Sequence, residues 1–169
     1  MITYILAAIA GLAVIGFDQY TKYFIDANYT LAKSHTFIPG VIDITYVKNT
    51  GAAWGMLSDR TWLLISVTTV VMLICITLIF KYGTRSKILF WAMILVLAGG
   101  IGNMIDRIFR GGAVVDFLHF TFWPEFPVFN LADCAIVLGA GLLVLYFVID
   151  LFKEVKKRYI GKTSPDKQS

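Results

Sequence analysis

Four long apolar runs constrain this chain more than any other feature: Ile2 to Phe17, extending toward Phe24, then Trp62 to Phe80, Ile88 to Ile105 and Cys134 to Ile149. Each is near the ~20 residues that cross a ~30 Å hydrocarbon core. In lipid every backbone amide must be paired within its own segment or in a closed barrel, and the runs lack the alternating polarity of barrel strands. They therefore predict four transmembrane helices, with spans at about 2–24, 62–80, 88–105 and 134–150. A hydrophobic content of 58% and a mean hydropathy of +0.75 agree with lipid as solvent. What is left between the runs is short, so 1–160 reads as a single integral membrane domain, followed by a polar cytoplasmic tail, 161–169. Met1 to Phe17 lacks the basic n-region of a secretory signal, and Ala8-Ile9-Ala10 comes too early for cleavage, so it reads as a retained first span.

The formal charge of +4 is a topology signal on so apolar a chain rather than a sign of nucleic-acid binding. Lys81, Arg85 and Lys87 lie between spans two and three, and Lys153, Lys156, Lys157, Arg158, Lys162 and Lys167 follow span four. The positive-inside rule puts these, and both termini, on the cytoplasmic side. The outer side then holds eight of the 11 acids: Asp18, Asp26, Asp43, Asp59, Asp106, Asp116, Glu125 and Asp133.

In the first outer segment, Val41 to Val47 after the Pro39-Gly40 turn is partly alternating and β-branched, which predicts a strand in a small extramembrane sheet. In the second, Phe120-Thr121-Phe122-Trp123-Pro124-Glu125-Phe126 is an aromatic cluster of the kind found at headgroup depth. The fold class is thus an all-α membrane protein with four transmembrane helices, a small extracytoplasmic β-containing segment and an interfacial aromatic segment. Cys75 and Cys134 fall at different depths, out of disulfide reach.

Asp18-Gln19-Tyr20-Thr21-Lys22 closes the first run, and its i, i+4 spacing brings Lys22 to the Asp18 carboxylate. That is either an interfacial ion pair or, because ionisable groups at membrane depth are functional suspects, part of a site. Asn49 to Gly55 is a small-residue stretch, with Gly51 permitting close backbone approach and Asn49 able to hold a loop or a peptide, although taken alone it reads first as a plain turn. In Gly99 to Arg107 the glycines admit a neighbouring helix, while Asn103, Asp106 and Arg107 share one helical face. That face is either a polar network or an Asp-Arg pair at a helix end.

Asp116 sits among apolar neighbours in Val114-Val115-Asp116-Phe117, and Asp133 ends Phe129-Asn130-Leu131-Ala132-Asp133 at the threshold of span four. Either could be a loop acid, and Asp133 is placed to be an N-cap. Two carboxylates close together near low dielectric do not both ionise readily, so one holds a proton while the other activates water, as in aspartic proteases. A zinc-protease motif, a serine nucleophile elbow and a P-loop are all missing from the sequence, and His35 and His119 lie apart without metal-ligand partners.

These motifs, in order and between four spans, resemble the lipoprotein signal peptidase (signal peptidase II) family over nearly the whole chain. The blocks that carry the likeness are Asp18 to Lys22, Asn49 to Gly55, Gly99 to Arg107, Val114 to Phe117 and Phe129 to Asp133. Trp54 stands where the family often has Phe. The resemblance implies an aspartic endopeptidase of the bacterial cytoplasmic membrane that cleaves diacylglyceryl-modified prolipoproteins just before the lipidated lipobox cysteine. It implies no metal, no cofactor and no obligate protein partner, and inhibition by the cyclic peptide globomycin. It makes Asp116 and Asp133 the catalytic pair, at the outer face, with Asp18, Lys22, Asn49, Gly51, Asn103, Asp106, Arg107 and Asn130 supporting the pair or holding substrate. Two rival readings are a small ion-coupled transporter, which predicts charge at mid-depth where Trp62 to Phe80 has none, and a membrane scaffold packed through its glycines, in which the two aspartates are incidental.

Overall fold

The computed structural model describes residues 2–83 and 85–162, without the side chains of 160–162. Its helices are α1 (Ile2–Asn28), α2 (Thr61–Tyr82), α3 (Lys87–Phe109) and α4 (Leu131–Lys162), each long and apolar enough to cross a bilayer. All four outrun their apolar runs. α1 continues past Phe24 to Asn28, a last turn in which Asp26 pairs with Lys48 and Arg110, and α4 continues to Lys162, two residues into the segment expected as tail. The rest of that tail, 163–169, lies outside the described residues.

α3 is the central helix and packs against the other three. Over half of its apolar window is buried (56%), against 11–17% for the other helices, which present Leu12, Phe80, Leu138 and Phe147 outward. Such a surface is costly in water and at home in acyl chains. The α3–α4 contact depends on missing side chains: a Cβ on Gly99 would stand 2.3 Å from the Ala132 carbonyl oxygen, and one on Gly139 would stand 2.7 Å from that of Ala92. Close backbone approach through small residues is the usual way helices associate in lipid, where hydrophobicity supplies no net drive. Cys75 and Cys134 are both free thiols.

The expected strand is present as β2 (Ile42–Asn49), the middle of an antiparallel sheet with β1 (Ser34–Ile38) and β3 (Val114–Phe120). Ile44, Tyr46, Val115 and Phe117 pack on Ile25 of α1, seating the sheet on one end of the bundle. Val47 pairs with Asp116 and Asn49 with Val114, after a bulge between Ile44 and Val47 that resets the register. The free edge of β3 is covered by Phe129, which exchanges backbone hydrogen bonds with Leu118. Gly111 and Gly112, at φ 65° and 91°, make the turn from α3 into β3.

Candidate active site

β3 alternates, so when Val115 and Phe117 turn into the sheet core, Val114 and Asp116 turn the other way, into a cleft of about 540 Å³ between the sheet and the ends of α3 and α4. Asn49, Gly51, Asn103, Arg107, Asp116 and Asp133 line its polar side, and Phe120, Phe126, Phe129, Ile136, Val137 and Leu138 much of its apolar side. All of the residues expected to act together, except Asp18, Lys22, Asp106 and Asn130, therefore face this one space.

Asn130 joins the two aspartates. Its side-chain Nδ2 donates to Asp116 Oδ1 at 2.6 Å, while its Oδ1 accepts from the Asp133 backbone N–H at 3.0 Å and its own backbone N–H donates to Asp133 Oδ2 at 3.0 Å. The last two bonds form a capping box, so Asn130 is the N-cap of α4 and Asp133 its third helical residue, not the cap itself. Asn49 Nδ2 donates to Asp116 Oδ2 at 2.9 Å, and Asn103 Nδ2 to Asp133 Oδ1 at 2.7 Å. Each carboxylate thus has two fixed donors, and Asp133 also lies in the first turn of a helix, where negative charge is favoured. Burial, then the nearby Asp133 charge, push the Asp116 carboxyl up to about 7 against the pull of its amide donors.

Behind the cleft lies a second, fully buried layer. Lys22 Nζ reaches Asp18 Oδ2 at 2.9 Å, Asp106 Oδ2 at 3.2 Å and Asn103 Oδ1 at 2.9 Å, which uses all three ammonium protons. Asp106 and Arg107 do not pair with each other: Asp106 turns toward α1, and Arg107 donates to the Gly51 carbonyl at 3.1 Å. Gly51 is held in turn, its N–H donating to Asn49 Oδ1 at 2.9 Å, and a Cβ there would stand 2.7 Å from the Met56 carbonyl oxygen. Two participants escape sequence reasoning. Arg110 binds Asp106 and Asp26, a link its i+4 spacing from Asp106 could have signalled. Gln19 bridges Asp18 and Asp106, and nothing in helical spacing singles out a residue adjacent to Asp18.

A four-helix bundle suited to lipid, with acids, amides and cations converging on a cleft at one end, defines a multi-pass membrane protein organised around a buried polar site. The family model described as "Signal peptidase (SPase) II" matches residues 10–149. The lipoprotein signal peptidase of Bacillus pumilus (strain SAFR-032) is 40% identical over 143 residues, covering 84% of this chain and 92% of that protein. That of Brevibacillus brevis (strain 47) is 40% identical over 154 residues, covering 91% and 97%. Two bacterial membrane enzymes solved by the in meso method have similar folds. The one at 2.3 Å gives a TM-score of 0.81 at 28% identity over 97% of this chain and 94% of its own. The one at 1.9 Å gives 0.77 at 31% identity over 84% and 92%. The chain belongs to the signal peptidase II family, and it is a membrane peptidase of lipoprotein precursors.

Proposed function

We propose that the chain is an aspartic endopeptidase in which Asp116 and Asp133 activate water against the peptide bond just before the lipidated cysteine of a diacylglyceryl-modified prolipoprotein. The observation that carries this reading is the Asn130 side chain and backbone holding both carboxylates at the rim of one cleft. Asp133, with a helix N-terminus behind it, takes a proton from water as the oxygen attacks the scissile carbonyl; Asp116 enters protonated and donates to the carbonyl oxygen. The tetrahedral diol then collapses as the leaving cysteine amine takes a proton from Asp133 and the C–N bond breaks. Water has been split across the bond, and Asp116 recovers its proton from the diol.

Asn103, Asn49 and Asn130 keep the two carboxyls oriented, and Arg107 with Gly51 fixes the loop beside them. Val137 and Leu138 line the cleft and are also mostly exposed, at 69% and 63%, so the cleft runs into the lipid-facing side of α4. This geometry favours a substrate whose signal helix and acyl chains stay in the bilayer. The sheet end is taken as the outer face of the bacterial cytoplasmic membrane, with both termini inside, and 1–160 as one peptidase domain. Globomycin, a cyclic peptide, fits as a competitor for the same cleft.

The test is cleavage of a synthetic lipidated precursor by purified protein. Asp116→Asn and Asp133→Asn are each expected to lower kcat by at least about 1,000-fold with the fold retained, and globomycin to inhibit the parent. Near-normal processing by either variant would end the proposal.

A further inference from the structure

The buried layer behind the cleft has a symmetry that the two-aspartate chemistry does not itself use. Asp18 Oδ1 accepts the backbone N–H of Ala132 at 2.9 Å, and Asp106 Oδ2 accepts that of Val115 at 3.1 Å. Ala132 immediately precedes Asp133, and Val115 immediately precedes Asp116. Each aspartate assigned to catalysis is therefore preceded by a peptide N–H anchored on a buried carboxylate, one from α1 and one from α3. Gln19 spans the two anchors. Its Nε2 lies 3.2 Å from Asp18 Oδ2, 3.1 Å from Asp106 Oδ1 and 3.0 Å from the Gly102 carbonyl oxygen.

We infer that Gln19, acting with Lys22, is a positioning residue: it holds the Asp18 and Asp106 carboxylates in the orientations that fix the backbone beside Asp133 and Asp116. Lys22 pairs with both carboxylates where they are fully buried, so neither is left without a partner of opposite charge. It sits between them as a single cation with three acceptors, and an ammonium imposes no planar geometry on the groups around it. The amide of Gln19 supplies the direction, because its donors project in one plane set by the side chain. With Gln19 removed, each carboxylate keeps its ion pair to Lys22 but loses one restraint on rotation about its Cβ–Cγ bond. The peptide N–H groups at 115 and 132 then follow that movement. A tolerance of about 0.5 Å governs such constellations, so a small release at the second layer reaches the chemistry.

The inference rests on the assignment of Asp116 and Asp133 to catalysis, and the test separates the two. Gln19→Leu removes the amide donors without changing net charge and is to be measured in the full chain beside Asp116→Asn. The expected result for Gln19→Leu is a kcat lowered by about 10- to 100-fold, KM for the lipidated precursor within about twofold of the parent, and a thermal midpoint lowered by no more than roughly a few degrees, with the protein fully folded at the assay temperature. Amide exchange at Val115 and Ala132 is expected to quicken while the rest of β3 and α4 keeps its protection. An unchanged kcat overturns the inference, as does a loss of kcat with exchange at 115 and 132 unaltered, or one that merely tracks loss of folded protein. Full activity in Asp116→Asn would instead overturn the underlying catalytic assignment, whatever the exchange data show.

Discussion

Asp116 is 3% exposed and its carboxyl is raised from 3.8 to about 7. The fold therefore favours its neutral form: stability fully present at acid pH is given up as pH rises from about 4 through about 7, where the folded protein must release a proton from a buried site. As a proton donor, Asp116 is expected to give kcat/KM a basic limb near pH 7, falling about tenfold per pH unit above it. A profile flat from pH 6 to 9 would sink that role. Asp116→Asn is expected to raise the thermal midpoint by roughly a few degrees at pH 8 and to leave it unchanged at pH 4, read by thermal unfolding at the two pH values. Gly102 is the second informative residue, since a Cβ there would stand 2.7 Å from Asp18 Oδ2. Gly102→Ala is expected to push Asp18 off the Ala132 amide and cost about 1–3 kcal/mol, seen as a lowered midpoint together with lost activity.

At the scale of elements, α3 and α4 meet through Gly99 and Gly139, and the same contact sets where Asp133 lies. A methyl on Gly99 would press on the carbonyl of Ala132, a backbone atom that cannot swing aside, so α4 itself must move. Gly99→Ala is expected to lower the thermal midpoint and to reduce kcat by more than tenfold, whereas Gly141→Ala, with nothing within 4 Å of its Cβ, is expected to change neither. Thermal unfolding and turnover of the two purified variants check the contrast. The elements differ in how plainly they can be read from residues. The helices follow from the apolar runs, and β2 from partial alternation after Pro39-Gly40. β3 escapes because Val114, Val115, Asp116 and Phe117 are all buried, so there is no in-out rhythm to detect. The cleft residues were legible as motifs, yet the pairing of Asn130 with Asp133 depends on the Asn-x-x-Asp spacing of a capping box, which a bare N-cap reading of Asp133 overlooks. Gln19 was illegible because the partners that give it a bridging place, Asp106 and the Gly102 carbonyl, come from a helix far away in sequence.

For the whole molecule, the charge pattern and the geometry bear on one question, which face of the membrane holds the cleft. Lys81, Arg85 and Lys87 lie at the end of the bundle away from the sheet, and the basic end of α4, from Lys153 to Arg158, follows the same helix away from Asp133. The sheet end carries mixed charge, much of it tied into ion pairs such as Asp26 with Lys48 and Arg110. Lys and Arg in short segments beside span ends are enriched on the cytoplasmic side, a bias set by the basic residues themselves rather than by net charge. The cleft is therefore expected to face outward, where a precursor exported by its signal helix presents its cleavage point. In a background in which Cys75 and Cys134 are replaced by alanine, Ser58→Cys in the loop beside the cleft is expected to react with a membrane-impermeant maleimide on intact cells. Arg85→Cys is expected to react only after permeabilisation. The reverse pattern would place the cleft inside and would oblige the substrate to be cut before it crosses, against the proposed order of export and processing.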